Sequence, residues 1–271
     1  MFSIFIYAPL AHCTWHAEGF LFKMGVLDFA GGTVVHMSAG WAALAFALYL
    51  KGRSNAEHKP ANIPFVLLGT GLLWVGWFGF NAGSALAANG LASQALVNTH
   101  LAAASAMLAW LLVEKLRTGH ASTLGAASGA VAGLVAITPC AGFVGGMAPI
   151  FIGLIAGAVC YLALTLKTRF NFDDSLDVIA VHLVGGILGA LLLGFFSDTK
   201  VNSLGFDGVL FGGGSKLLVN QLIAIGATFA FSFIVTWVVA KILDATIGLR
   251  VSTEDELVGL DQSQHAESAY Q

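Results

Sequence analysis

Hydrophobic positions in this chain run in long, nearly unbroken stretches, with no alternation and no regular polar face. Such stretches lie near residues 29–50, 62–83, 95–113, 124–140, 148–166, 177–196 and 217–242, separated by short polar loops. A helix needs about 20 apolar residues to cross a bilayer core, so the pattern predicts seven membrane spans. The run 124–140 is marginal for that purpose and is expected deep in the bundle. Residues 1–14, "MFSIFIYAPLAHCT", are apolar but short. They lack a positive flank and a small-residue cleavage site, so they predict the end of an eighth helix and not a signal peptide. A β-barrel is disfavoured, because barrel strands alternate over about ten residues. The expected fold class is all-α: a polytopic helical bundle in a membrane.

Composition sharpens this picture. Of 271 residues, 57% are hydrophobic and 10% charged, against about 25% charged in an average soluble domain. The 33 glycines, with many alanines and serines, predict helix faces that pack closely, as association within lipid requires. A net charge of −3 without a basic run argues against nucleic acid as a partner. Cys13, Cys140 and Cys160 have no ligand-like spacing, so neither a disulfide framework nor a zinc site is indicated. No metal and no other cofactor is expected. Basic residues are retained on the cytoplasmic side of a membrane. Lys51, Arg53 and Lys59, then Lys115 and Arg117, then Lys167 and Arg169 recur in every second loop, while the loops at 84–94 and 141–147 have none. These basic loops are therefore expected inside. The chain divides into a transmembrane domain, 1–250, and a polar cytoplasmic tail, 251–271.

Two of the spans carry a histidine. His36 lies eight residues after Asp28, and His182 lies eight residues after Asp174. At 1.5 Å of rise per residue, each is about 12 Å into a helix that begins at its aspartate. The two helices enter from opposite faces of a core about 30 Å thick, so the imidazoles are expected to meet near the mid-plane. The shared Asp-x7-His spacing, followed in each case by small residues, predicts an inverted repeat with its site at that level. A lone buried histidine is more often a packing residue, but a matched antiparallel pair points to a pathway, because ionisable groups inside membranes face one another or a passage. Asp174 and Asp177 are expected to be helix N-caps with a structural role. His12, His16, His58, His100, His120 and His265 are assigned no function.

The same residues carry a resemblance. "YAPLAHCTW", "LDFAGGTVVH", "VGWFGFNAGSA", "GLVAITPCAGFV" and "DDSLDVIAVHLVGGILGALL" resemble, in order and in spacing, successive signatures of the ammonium transporter (Amt/Mep) family. The "DFAGGTVVH" form is similar to Amt proteins and less so to their Rhesus relatives. The family has eleven spans, with the N-terminus outside and the C-terminus inside, and forms trimers with one pore per subunit. On that pattern the chain resembles the end of the fourth span through the eleventh.

The resemblance implies site residues. His36 and His182 match the family's twin pore histidines, Trp77 a pore-wall tryptophan and Phe80 an aromatic gate. Trp15 and Ser84 match members of an outer ammonium-recruitment site, and Asp28 matches an aspartate near that vestibule. The interval from Trp15 to Asp28 is one residue longer than in some members. In the tail, "STEDELVGLDQSQHAESAY" has Ala266 where the family usually has glycine; in relatives this region couples subunits and meets PII-class regulators. The implied function is passage of ammonium or ammonia through a hydrophobic pore of a homotrimer, and not enzymatic catalysis. Two other readings stand beside it. A membrane metalloenzyme would want three or four protein ligands, and no further His or Glu falls at the depth of the histidine pair. A non-conducting ammonium sensor shares the motifs, but the short tail holds no signalling module.

Overall fold

Within hydrocarbon no water is present to hydrogen-bond the backbone, so a crossing segment must satisfy its own N–H and C=O groups, and the helix does so. The computed structural model describes residues 1–54, 59–170 and 173–268. His58 and the middle of the first basic loop lie outside the described residues. Among the described residues there is no strand. A π-helical turn, Ser3–Tyr7, leads into α1 (Ala8–Trp15), followed by the short α2 (Phe20–Met24). A π-helical segment, Gly32–Met37, continues as α3 (Ser38–Leu50). Next come α4 (Ile63–Gly83), α5 (Gly90–Thr118), α6 (Thr123–Ile137) and α7 (Ala148–Phe170). A second π-helical segment, Ile179–Val184, continues as α8 (Gly185–Phe196). The chain closes with α9 (Lys216–Thr246), α10 (Thr253–Val258) and α11 (Leu260–His265).

Six of these helical segments are long and apolar enough to cross a membrane; the chain is a multi-pass membrane protein. The expected span at 124–140 is different: α6 has only 15 residues. Pro139 lies two residues past its end. Proline brings no N–H to donate to the carbonyl of Val135 and so interrupts the helical hydrogen-bond ladder, and the helix stops inside the bundle. From Ala132 to Val144 every residue is buried.

Local signals in the sequence start the helices. Asn62, Asn89 and Ser122 each accept the N–H three residues on, at 3.0, 3.0 and 2.9 Å, which satisfies one of the orphan donors at each N-terminus. Small residues then set how closely the helices approach. A Cβ on Gly157 would collide with the Ala106 carbonyl, so α7 packs against the backbone of α5. Along α9, Gln221, Ala224, Thr228, Ser232, Thr236 and Ala240 form a buried line at three- and four-residue spacing, and its Phe229 meets Trp41 of α3 at 4.4 Å between ring centroids.

Ion pairs and caps gather the basic loops on one face. Arg53 pairs with Asp173 at 2.7 Å and Lys167 with Asp177 at 2.8 Å. Arg250 donates to the carbonyls of Leu50 and Gly52, both at 2.8 Å, while Glu256 accepts the Ser54 N–H at 2.6 Å. The tail is thereby tied to the end of α3. On the other face Asn98 donates to the carbonyls of Ala141 and Val144 at 2.9 and 2.6 Å, closing the uncharged loop. Asp177 departs from the expected cap. Its carboxylate is drawn to Lys167, its φ is +55°, and only its carbonyl, accepting from Val181, enters the helix.

The tail also explains one residue. Ala266 closes α11 in the left-handed region at φ +54°, which glycine adopts without the Cβ clash an alanine meets. Replacing Ala266 by Gly is expected to stabilise the docked tail by about 1 kcal/mol, read as slower limited proteolysis after residue 250. A second prediction concerns the two faces. In a chain whose Cys13 is replaced by Ala, a cysteine at Asn89 should react with an impermeant thiol reagent in intact cells and a cysteine at His120 should not; the reverse labelling would invert the orientation.

Candidate functional site

The site is assembled where three chain ends meet inside the bundle: the start of the Gly32–Met37 segment, the start of the Ile179–Val184 segment, and the end of α6. The first start is held by Asp28. Its Oδ1 accepts the N–H groups of Gly31 and Gly32 at 2.8 and 2.7 Å, and its Oδ2 those of Thr33 and Val34 at 2.8 and 3.2 Å. One carboxylate thus satisfies four consecutive donors at the positive end of the helix dipole. The side chain is buried, and both its oxygens are committed to the backbone. The second start is held more lightly: Asp174 Oδ2 accepts the Ile179 N–H at 2.8 Å.

These starts revise the depth arithmetic. The helices begin at Gly32 and Ile179, not at the aspartates, so the helical rise before each histidine is shorter than eight residues would give. The imidazoles still meet, because Asp28 and Asp174 are themselves buried and the helices start within the protein. His182 Nδ1 lies 3.3 Å from His36 Nδ1, with ring centroids 5.3 Å apart. Both histidines occupy π-helical turns, a distortion that is frequent at functional sites.

Around His36 the side chains interlock. The Trp77 ring stacks on His36 with centroids 5.2 Å apart and planes 17° from parallel. Phe80, one turn along α4, lies 6.1 Å from His36 and 5.5 Å from Trp77. Thr138 joins them. Its hydroxyl donates to the Leu134 carbonyl at 2.7 Å and accepts the Trp77 indole N–H at 3.0 Å, and His36 Nε2 lies 3.2 Å away. With its only proton given to Leu134, Thr138 Oγ1 can only accept from His36, so Nε2 carries a proton. In neutral His36 the bare Nδ1 then accepts from His182 Nδ1–H, which leaves Nε2 of His182 bare. The geometry therefore selects one tautomer for each ring.

On the basic face, His182 lines a cavity of about 620 Å³ bounded by α4, α6 and the loop before Ile179, with Lys59, Lys167 and Asp177 among its walls. On the opposite side Phe80 is 41% exposed, so the pair stands between an aromatic cover and an open vestibule. Trp15 donates its indole N–H to the Asp28 carbonyl at 2.7 Å, and its ring is exposed. Ser84, half-buried, ends α4 and donates to the Phe80 carbonyl at 2.9 Å. No described hydrogen bond or ring contact joins Trp15 to Ser84. Among the described residues no three His, Cys, Asp or Glu side chains group as a metal site would require.

Sequence reading missed Thr138, although it lies in the quoted "GLVAITPCAGFV". The available signal was a hydroxyl residue directly before a proline in an apolar run. It also missed Gln221, an uncharged polar residue in a long span.

Comparison with known proteins gives a consistent result. The model of the "Ammonium Transporter Family" matches residues 1–270. The ammonium transporter Amt1 of Archaeoglobus fulgidus is 50% identical over 98% of this chain, which covers 68% of that protein. The ammonium transporter of Bacillus subtilis is 46% identical over the whole chain, covering 67% of its own length. Among solved structures, Saccharomyces cerevisiae Mep2 superposes with a TM-score of 0.87 at 37% identity, covering 93% of this chain and 59% of that one. A structure described as a sensor Amt protein matches at 32% identity with a TM-score of 0.85, over 96% of this chain and 66% of that one. The chain thus spans from about three fifths to two thirds of the length of these relatives.

The cap at Asp28 generates a prediction. Asp28→Ala leaves four buried N–H groups without their acceptor and is expected to cost about 2 kcal/mol or more, read as a lowered unfolding temperature of the purified protein. Asp28→Asn keeps one acceptor oxygen and should fall between the two; an unchanged temperature in both would show that the cap contributes nothing.

Proposed function

The chain belongs to the ammonium transporter family, and from that premise we propose that the full-length protein conducts ammonium across the membrane as ammonia, through a passage whose polar midpoint is the His36–His182 pair. One observation carries this reading: two imidazoles at 3.3 Å, walled by Trp77 and Phe80 on one side and open to a cavity on the other. An ion cannot follow so apolar a path cheaply, because desolvating a charge costs far more than any contact here returns. Ammonia, neutral and small, can pass, with the bare Nε2 of His182 offering it an acceptor.

Each residue then has a task. Trp15 and Ser84 receive the ammonium ion outside, an exposed indole face and a hydroxyl, with cation–π attraction of about 0.5–1 kcal/mol at an exposed site. Phe80 covers the pair from the outside. Trp77 stacks on His36, and Thr138 holds the indole and the imidazole in one orientation. Asp28 acts by setting the start of the His36 helix. At the exposed outer side of Phe80 the cation returns its proton to water of the external solvent, ammonium and water giving ammonia and hydronium, and ammonia reaches the cavity beneath His182.

Residues 1–250 form the transmembrane domain, and 251–271 a tail on the cytoplasmic side. Assembly as a homotrimer, and docking of a PII-class regulator on the basic face, follow from the family pattern as parts of this proposal. The sensor reading is not favoured: named transporters reach 50% identity, while the sensor Amt structure stands at 32%.

The test is ammonium and methylammonium uptake, with ion selectivity, in the full-length protein bearing His36→Leu, His182→Leu or both, each checked for normal assembly. Conduction should be lost or re-specified in every variant, and each single change should resemble the double, because the pair acts as a unit. Wild-type flux and selectivity in all three would overturn the reading.

A further inference from the structure

The link between α2 and the His36 helix, residues 25–31, is irregular backbone inside the protein. Such backbone persists in a membrane protein only where other parts of the protein satisfy its polar groups. Here the partners are specific. Val26 N–H donates to the Leu21 carbonyl at 3.0 Å and Phe29 N–H to the Pro139 carbonyl at 3.1 Å. The Met24 carbonyl accepts from Asn220 at 2.6 Å. Leu27 is held at both ends by one side chain: its N–H donates to Gln221 Oε1 at 3.0 Å and its carbonyl accepts from Gln221 Nε2 at 2.9 Å. The amide of Gln221 thus pairs with Leu27 as a neighbouring strand would.

The second proton of that same amide nitrogen points elsewhere. Gln221 Nε2 lies 3.4 Å from the carbonyl of Ala190, in α8, eight residues beyond His182. Gln221 is fully buried and uses its whole hydrogen-bonding capacity save one lone pair. It therefore stands between the segment that carries Asp28 and His36 and the helix that continues from His182. Close by, the two histidine-bearing helices cross at Gly186, where a Cβ would lie 3.0 Å from Met37 and 3.1 Å from the Gly32 carbonyl. The crossing is tight enough that a small displacement of either helix changes the imidazole separation.

We propose that Gln221 is a positioning residue for conduction: by holding both backbone groups of Leu27 and the Ala190 carbonyl, it sets the relative placement of the two helices and so the bonding distance of His36 and His182. This rests on the reading that the histidine pair forms the conducting midpoint. Gln221 touches neither imidazole and acts through the backbone of both chains leading to them. The adjacent Asn220 holds only Met24 and bears on one helix; Gln221 bears on both.

The experiment compares the full-length protein with Gln221→Leu, which removes donor and acceptor at similar size, and Gln221→Glu, which keeps an oxygen for the Leu27 N–H. Flux is measured per folded molecule in proteoliposomes, with KM, maximal rate and the ammonium-to-methylammonium ratio. In Gln221→Leu the maximal rate should fall by about tenfold, the scale on which residues that orient functional groups act. KM should stay near wild type, because recruitment at Trp15 and Ser84 is untouched, and the ratio should shift. Gln221→Glu should show a loss in the same direction, because its second oxygen is an acceptor set against the carbonyls of Leu27 and Ala190. Unchanged maximal rate and ratio per folded molecule in Gln221→Leu would overturn the proposal, as would failure of both variants to fold, which would make Gln221 a packing residue. If the wild-type protein conducts no ammonium, or His36→Leu and His182→Leu conduct like wild type, it is the underlying reading that fails.

Discussion

A backbone N–H or C=O left without a partner in a water-free interior costs about 1–3 kcal/mol, and this constraint shapes the protein more than any other. Regular helices meet it automatically. The candidate site does not, because it is built where helices begin and end inside the bundle, leaving N-terminal donors and C-terminal acceptors exposed to one another. Asp28 answers four such donors, Gln221 answers both groups of Leu27, and the Pro139 carbonyl answers Phe29. Without these side chains, the breaks that let two histidines face each other would be too costly to keep.

The same breaks explain why the site is polar at a single level and apolar elsewhere. A continuous helix would carry its imidazole past its partner with a protein wall between them. Two helices that start within the bundle, with a third that stops at Thr138, leave a narrow region where His36, His182, Trp77 and Thr138 interlock. The Thr138 hydroxyl gives this cluster its direction. With its proton committed to Leu134, it orients the indole and one imidazole, and that imidazole dictates the tautomer of the other.

Close packing supports the arrangement from outside. Glycines let α5, α6 and α7 approach backbone to backbone, so the scaffold on which the end of α6 sits is stiff. The tail is attached by charge instead: Arg250 and Glu256 tie it to the loop that also pairs Arg53 with Asp173, one residue before the Asp174 cap. The tail and the His182 helix therefore share a short chain of contacts on the basic face.

The sequence by itself determined the class of the fold. Apolar runs long enough to cross a bilayer, basic residues in every second loop and small residues throughout left an all-helical membrane bundle as the expectation, and the motifs pointed to the family. These are local or additive properties, so they are legible in one dimension. The matched spacing of His36 and His182 also predicted that they would meet. What it could not predict was why. Counting helical rise from Asp28 assumed a continuous helix, whereas the true start at Gly32, the π-helical turns and the early stop of α6 depend on which distant groups accept or donate hydrogen bonds. Gln221 and Leu27 are 194 residues apart and Thr138 and His36 are 102 apart. Such pairings have no signature in local pattern, because a polar residue in an apolar run looks the same whether it caps, staples or faces lipid. Only the tertiary structure, by bringing each unsatisfied backbone group beside one particular side chain, decided where the helices break and hence where the two imidazoles stand.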